Sequence, residues 1–283
     1  MRSVLCLPIA LVSLVACAEA PNDPRESTTT AAVVSVNRIA SNRIASNRIA
    51  SNRLSAHRMT VNRSTTRDLL GTEDGRDVFA LLVSCALGDD VALTATVDGM
   101  EFDFPGELGL APGWLSGALD ATSQRWVSAC VFSRVNARDV ALPISMRGPT
   151  PALDVDDDER AGWTLEEGGF FGNMFGPLDQ PIQWFACRGR DLAAGDTGGL
   201  ADRDCARPDP DHPGLTLCGF FFAGDCGAFA ADRTCESFSG RGTFYQNCHT
   251  APIERLHSCP GNLGRGRADD RVFGQVITTF VTP

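Results

Sequence analysis

Seven of the chain's eleven cysteines lie between Cys187 and Cys259. Few strand-like runs are legible there until residue 271. Dense cysteine with weak secondary structure reads as loops stapled by disulfides. Zinc is the rival, but no tight C-x2-C pair occurs. Disulfides are therefore expected among Cys85, Cys130, Cys187, Cys205, Cys218, Cys226, Cys235 and Cys248, with no metal or other cofactor. Proximity in sequence suggests Cys187–Cys205, Cys218–Cys226 and Cys235–Cys248. Cys259 is left over as a free thiol or an intermolecular link.

Disulfides need an oxidising compartment, and the amino terminus supplies a route to one. Met1-Arg2 is followed by an apolar run of about a dozen residues, Leu5 to Ala16, which is too short to span a bilayer stably. The run ends in Leu14-Val15-Ala16-Cys17, which resembles the bacterial lipobox. That resemblance implies removal of residues 1–16, lipidation of Cys17 and a membrane anchor of three acyl chains, far firmer than one chain. Ala18 is not the Asp that would resemble an inner-membrane retention signal, so an outer-membrane lipoprotein, periplasmic or surface-facing, is expected. A plain secretory signal cut after Ala16, Ala18 or Ala20 is the alternative. Pro21 to Thr30 is rich in Pro, Ser, Thr and charge, so residues 17–36 read as a tether.

From Asn37 to Arg63 a five-residue period runs through six units: Asn-Arg-Ile-Ala-Ser from Asn37, Asn42 and Asn47, then looser copies from Asn52, His57 and Asn62. Five residues rotate a helix 140° past a full turn, so the isoleucines form no stripe. Five is odd, so in a strand Ile39 and Ile44 face opposite sides. Pentapeptide-repeat solenoids place a small residue two positions before the apolar centre, where this chain has Asn. Six repeats also supply too few coils to bury their own faces. Residues 37–67 are therefore expected to be a flexible, extended arm. Between Ala31 and Arg67 there are seven arginines and no acid, while residues 68–283 carry 16 arginines against 32 acids, a formal charge of −16. The arm is expected to contact an anionic surface, either membrane phosphates or its own domain. The acidic domain argues against a nucleic-acid partner.

Residues 68–283 read as one cysteine-rich globular domain. Asp77 to Leu87 looks like a buried strand carrying Cys85. Val91–Val97 and Met100–Phe104 alternate around Asp98-Gly99, a hairpin signal. The one clear helix runs over about 121–137, with Trp126, Val127, Cys130, Val131 and Val135 at helical spacing and Asp120 or Thr122 as cap. A Cys85–Cys130 bridge would pin it to the sheet. Further strands are expected at Val140–Met146, Ile182–Ala186 and Arg271–Val281. Phe170, Phe171, Met174 and Phe175 form a core cluster. Together these predict a disulfide-stabilised α+β fold, mostly β.

Candidate chemistry is thin. Asp154 to Glu159 resembles the start of a calcium loop, but Glu159 and Leu165 stand where Gly and Glu are required, so it reads as a solvated acidic loop. Gly195-Asp196-Thr197-Gly198-Gly199 resembles a serine-protease phrase with Thr at the nucleophile position. The sole upstream histidine, His57, lies in the repeat without the expected flanks, so a Gly-rich turn is the reading. His249 and His257, with Asp225, Asp232 or Glu254 and with Cys259 nearby, are the residues a hydrolase would use.

The phrases Gly109–Trp114, Trp126–Cys130, Val135–Ala137 and Cys218–Cys226 resemble cysteine-rich envelope lipoproteins of myxobacteria-like bacteria. That family has no established activity, so the resemblance implies an envelope location and no chemistry. The expected function is a non-catalytic cell-envelope lipoprotein with a binding or structural role. The alternative is a secreted hydrolase using C-terminal His and Asp residues.

Overall fold

The segment Leu165–Asn173 (LEEGGFFGN) is the strand on which the rest is assembled. In the computed structural model, which describes residues 33–35, 68–135, 142–175, 183–195, 198–227, 234–239, 243–250 and 272–283, all but the last of its residues are buried. Its elements, in chain order, are β1 (Val33–Ser35), α1 (Glu73–Ala86), β2 (Ala92–Val97), β3 (Met100–Pro105), α2 (Ala121–Ser133), β4 (Leu142–Arg147), α3 (Asp157–Gly162), β5 (Leu165–Asn173), β6 (Gln183–Arg188), α4 (Arg190–Ala194), β7 (Phe221–Asp225), β8 (Glu236–Phe238), β9 (Phe244–Gln246), β10 (Cys248–His249), β11 (Val272–Phe273) and β12 (Val276–Val281). Six strands form the main sheet in the order β1-β4-β12-β5-β6-β7. Its pairs are antiparallel except β6 with β7. The fold is thus a mixed, sheet-rich α/β fold tied by disulfides.

β5 is buried on both faces because each face carries its own apolar layer. Phe170 and Ile277 belong to a large core with α1 and α2, whereas their neighbours Phe171 and Val276 belong to a second core with Tyr245, Phe273 and four cysteines. This is the period-two alternation of a strand with no solvent face. The glycines make the crowding possible. A Cβ at Gly168 would sit 2.2 Å from the Cys187 carbonyl oxygen, and one at Gly169 would sit 3.0 Å from the Cys187 sulfur.

Two substantial helices pack on the large core, where the sequence predicted one. The run Asp77 to Leu87 is not a strand but the greater part of α1. An apolar run without alternation fits a buried helix as well as a buried strand. The deciding signals lie just upstream: Thr72 caps the helix by accepting the Gly75 amide at 3.0 Å, and Glu73 and Asp74 occupy the first turn. α2 begins where predicted, with Asp120 accepting the Ser123 amide at 2.7 Å, but ends at Ser133. Ser128 accepts the Met174 amide at 2.9 Å and so fixes α2 to the end of β5. The predicted hairpin is present as β2 and β3, its turn formed by Asp98 and Gly99, both at positive φ.

Two features concern the amino-terminal third. Val33–Ser35, within the segment expected to be a tether, pairs antiparallel with β4 and covers that sheet edge. The repeat arm, residues 37–67, lies outside the described residues. The acidic run is not simply a solvated loop. Asp156 caps α3 through the Glu159 amide at 2.7 Å, and Glu159 turns inward.

Candidate functional site

The residues with the most chemical potential flank β5. They form a buried charged network and a cluster of sulfurs. Glu166 and Glu167 are consecutive, so their carboxylates leave the strand on opposite sides. A register shift between Thr279 and Phe280 of β12 falls opposite them. This bulge leaves Glu167 toward the large core rather than against the sulfurs.

On the second-core side, the Tyr245 hydroxyl donates to Glu166 Oε1, and the Arg190 amide donates to the same oxygen at 2.9 Å. The Glu166 amide donates to Asp191 Oδ2 at 2.6 Å, so strand and α4 hold each other reciprocally. Burial pushes the Tyr245 hydroxyl well above the ordinary tyrosine range, and the Glu166 carboxylate adds to this. On the other side, Glu167 Oε2 accepts from Arg203 Nε at 2.8 Å and from Thr279 Oγ1 at 2.6 Å. Arg203 also donates to the Ser133 carbonyl at 2.5 Å, at the end of α2. The side chains of Glu167 and Arg203 are both fully buried. Among the described residues Glu167 Oε1 and Arg203 Nη1 have no hydrogen-bond partner.

Two further arginines serve the same structural purpose. Burial brings the Arg147 guanidinium down to about 10; it lies 3.8 Å over the Phe280 ring and donates to the Trp163 carbonyl. Burial likewise pushes the neighbouring Glu159 carboxyl up, against the pull of the Ser145 hydroxyl and Arg147. Arg134, lowered by its burial, joins Ser84 at 2.5 Å and Glu107 at 3.1 Å, locking α1, α2 and the segment after β3.

The sulfurs are paired as Cys85–Cys130, Cys187–Cys226, Cys205–Cys218 and Cys235–Cys248. The first and last are the expected pairs, although Cys85–Cys130 joins two helices rather than a helix and a strand. The other two correct the sequence-neighbour expectation of Cys187–Cys205 and Cys218–Cys226. β6 and β7 are parallel neighbours with Arg188 opposite Asp225, which brings Cys187 next to Cys226 across 39 positions. Cys205 and Cys218 then lie together in the large core. The sulfurs of Cys187, Cys235 and Cys248 all fall within 4.8 Å of one another. That spacing suits a soft metal ion, but a ligating sulfur must be a thiolate, and here each is held in a disulfide.

The hydrolase residues are not brought into one described site. Asp225 forms an ion pair with Arg188 at 2.6 Å. His249 lies exposed on β10, and its amide donates to the Thr234 carbonyl. His257, Asp232, Glu254 and Cys259 lie outside the described residues, as does Cys17. His212 meets Asp209 at 2.9 Å on an exposed turn. The Asp211 amide and then the His212 ring hold the Asp209 carboxyl below its ordinary range. Gly195 ends α4 in the left-handed conformation, while Asp196 and Thr197 are outside the described residues.

Sequence reasoning missed Glu166, Glu167, Arg203 and Tyr245. The signal was available in two adjacent acids inside an otherwise apolar, glycine-rich run, and in the chain's single tyrosine. Among the described residues no helix is long and apolar enough to cross a membrane. The chain matches no protein-family model, no curated protein and no solved structure.

Proposed function

We propose that this is an exported, lipid-anchored cell-envelope protein whose α+β domain, residues 68–283 together with the β1 edge strand, has a binding or structural role without catalysis. The observation that carries the reading is the set of four buried disulfides in a chain that begins with a signal-like run ending at Cys17. Such bridges form and persist outside the reducing cytoplasm. The buried charges support the non-catalytic part. Glu166, Glu167, Arg203, Arg134 and Arg147 join strands to helices and to one another.

β1 refines the anchor. If Cys17 carries the lipid, the sheet is reached again at Val33. The span from Cys17 to Val33 extends at most about 58 Å at roughly 3.3–3.6 Å per residue. The arginine arm then lies after this first contact with the sheet, not between anchor and domain. In this reading the arm contacts an anionic surface and its protection from protease falls as salt rises. The experiment is expression in a bacterial host with the native signal. Membrane-bound protein that moves to the soluble fraction in Cys17→Ala supports the reading. Soluble wild-type protein with an unmodified Cys17 contradicts it. The hydrolase alternative would need His249→Ala or His257→Ala to abolish a measured activity.

A further inference from the structure

The four cysteines of the second core do more than form two independent bridges. Cys187 lies on β6 and Cys226 directly follows β7; Cys235 and Cys248 bracket the hairpin of β8 and β9. The Cys187 and Cys235 sulfurs, which belong to different bridges, are 3.4 Å apart. All four residues are at most 2% exposed. Gly169 backs the cluster, its missing Cβ leaving room 3.0 Å from the Cys187 sulfur and 3.5 Å from the Cys226 sulfur. Thiol–disulfide exchange requires a thiolate next to a disulfide sulfur, and fixed proximity raises its effective concentration greatly.

We propose that Cys187, Cys226, Cys235 and Cys248 form a single thiol–disulfide exchange centre that takes a dithiol as its reductant. The Cys235–Cys248 bridge is the entry point. It closes a hairpin whose residues Glu236 to Phe238, and His249 beyond it, are exposed, whereas Cys187–Cys226 joins two strands of the main sheet. Local opening of this short hairpin admits the reductant. One thiolate of the dithiol attacks Cys248 Sγ, and Cys235 leaves as a thiolate. The second thiol of the reductant then closes it to a disulfide and releases Cys248 as a thiol. Two electrons have passed from the dithiol to the protein. The Cys235 thiolate next attacks Cys187 Sγ. A Cys187–Cys235 bond forms, the Cys187–Cys226 bond breaks, and Cys226 leaves as a thiolate that takes a proton from solvent. This second step consumes no electrons. The product ties β6 covalently to the hairpin instead of to β7, whose end stays held by its pairing with β6 and the Arg188–Asp225 ion pair. This reading rests on the sulfur cluster alone and stands whether or not Cys17 is lipidated.

The test uses the full chain. Pre-existing free thiols are blocked with one isotopic form of a maleimide. The protein is then treated with limiting dithiothreitol, quenched in acid, labelled with a second isotopic form and mapped by peptide mass. The expected two-electron product of this cluster carries new label on Cys226 and Cys248 and contains a Cys187–Cys235 cross-linked peptide. New label on Cys235 and Cys248 with no label on Cys226 and no Cys187–Cys235 peptide overturns the proposal, as does label on Cys187 and Cys226 with Cys235–Cys248 intact. Cys248→Ser tests the second step without reductant. The expected result divides the cluster's single unpaired thiol between Cys235 and Cys226 in amounts of the same order. Label confined to Cys235 contradicts the exchange. If the variant does not fold, the wild-type map decides.

Discussion

The ion pair between Glu167 and Arg203 is the most demanding contact in the fold, and Arg203→Met probes it. Both side chains are fully buried, with 2.8 Å between Nε and Oε2. At this separation the attraction is about 6 kcal/mol for an effective dielectric constant near 20. It is opposed by a desolvation cost of several kcal/mol for each ion. Arg203→Met removes the attraction and leaves the cost, with only Thr279 still donating to the carboxylate. The expected loss is about 3–5 kcal/mol. Glu167→Gln added to Arg203→Met removes the stranded charge and keeps an acceptor for Thr279. The double variant should therefore be more stable than Arg203→Met alone, by about 2 kcal/mol. Urea unfolding with disulfides intact, followed by tryptophan fluorescence, measures both. With a slope of about 2 kcal/mol/M, the Arg203→Met midpoint falls by roughly 2 M at unchanged slope. A loss below about 1 kcal/mol, or a double variant no better than the single, would refute the reasoning.

Other expectations follow from the same contacts. Gly169→Ala pushes a methyl group onto the Cys187 and Cys226 sulfurs and should cost about 1–3 kcal/mol in the same assay. Thr72→Ala removes the α1 cap and should cost about 1 kcal/mol, with Thr72→Asn restoring most of it. The Tyr245 hydroxyl is raised in the folded state, mainly by burial. Its contribution is fully present below pH 10, the ordinary tyrosine value, and is lost as pH rises beyond that value toward the folded one. Tyr245→Phe should therefore flatten the alkaline decline in melting temperature; an unchanged decline would remove Tyr245 as its cause.

Local chemistry was legible wherever a residue acts on its near neighbours. The Asp98-Gly99 turn, the Asp120 cap and the closing strand through Val281 were all readable from short windows. α1 was misread because its apolar run has no decisive period, although Thr72 and its acidic first turn marked a helix start. β5 escaped notice as a strand because its glycines and acids lower its apparent strand character. Their reason lies in close approaches by Cys187, Ala206 and Arg203, which come from distant parts of the chain. The two mispaired bridges failed for the same cause. Nearness in sequence points to the wrong partners, because the parallel placement of β6 and β7 sets them. Buried charge networks are equally long-range: Tyr245 meets Glu166 across 79 positions and Thr279 meets Glu167 across 112.

The central claim is that an exported, lipid-anchored chain is held by four specific bridges. It is tested most directly by peptide mass mapping of the unreduced protein purified from the envelope of a bacterial host. The account predicts a lipid-modified Cys17 as the first residue and cross-linked peptides for Cys85–Cys130, Cys187–Cys226, Cys205–Cys218 and Cys235–Cys248. An unmodified Cys17, or free thiols at these eight positions, would contradict it.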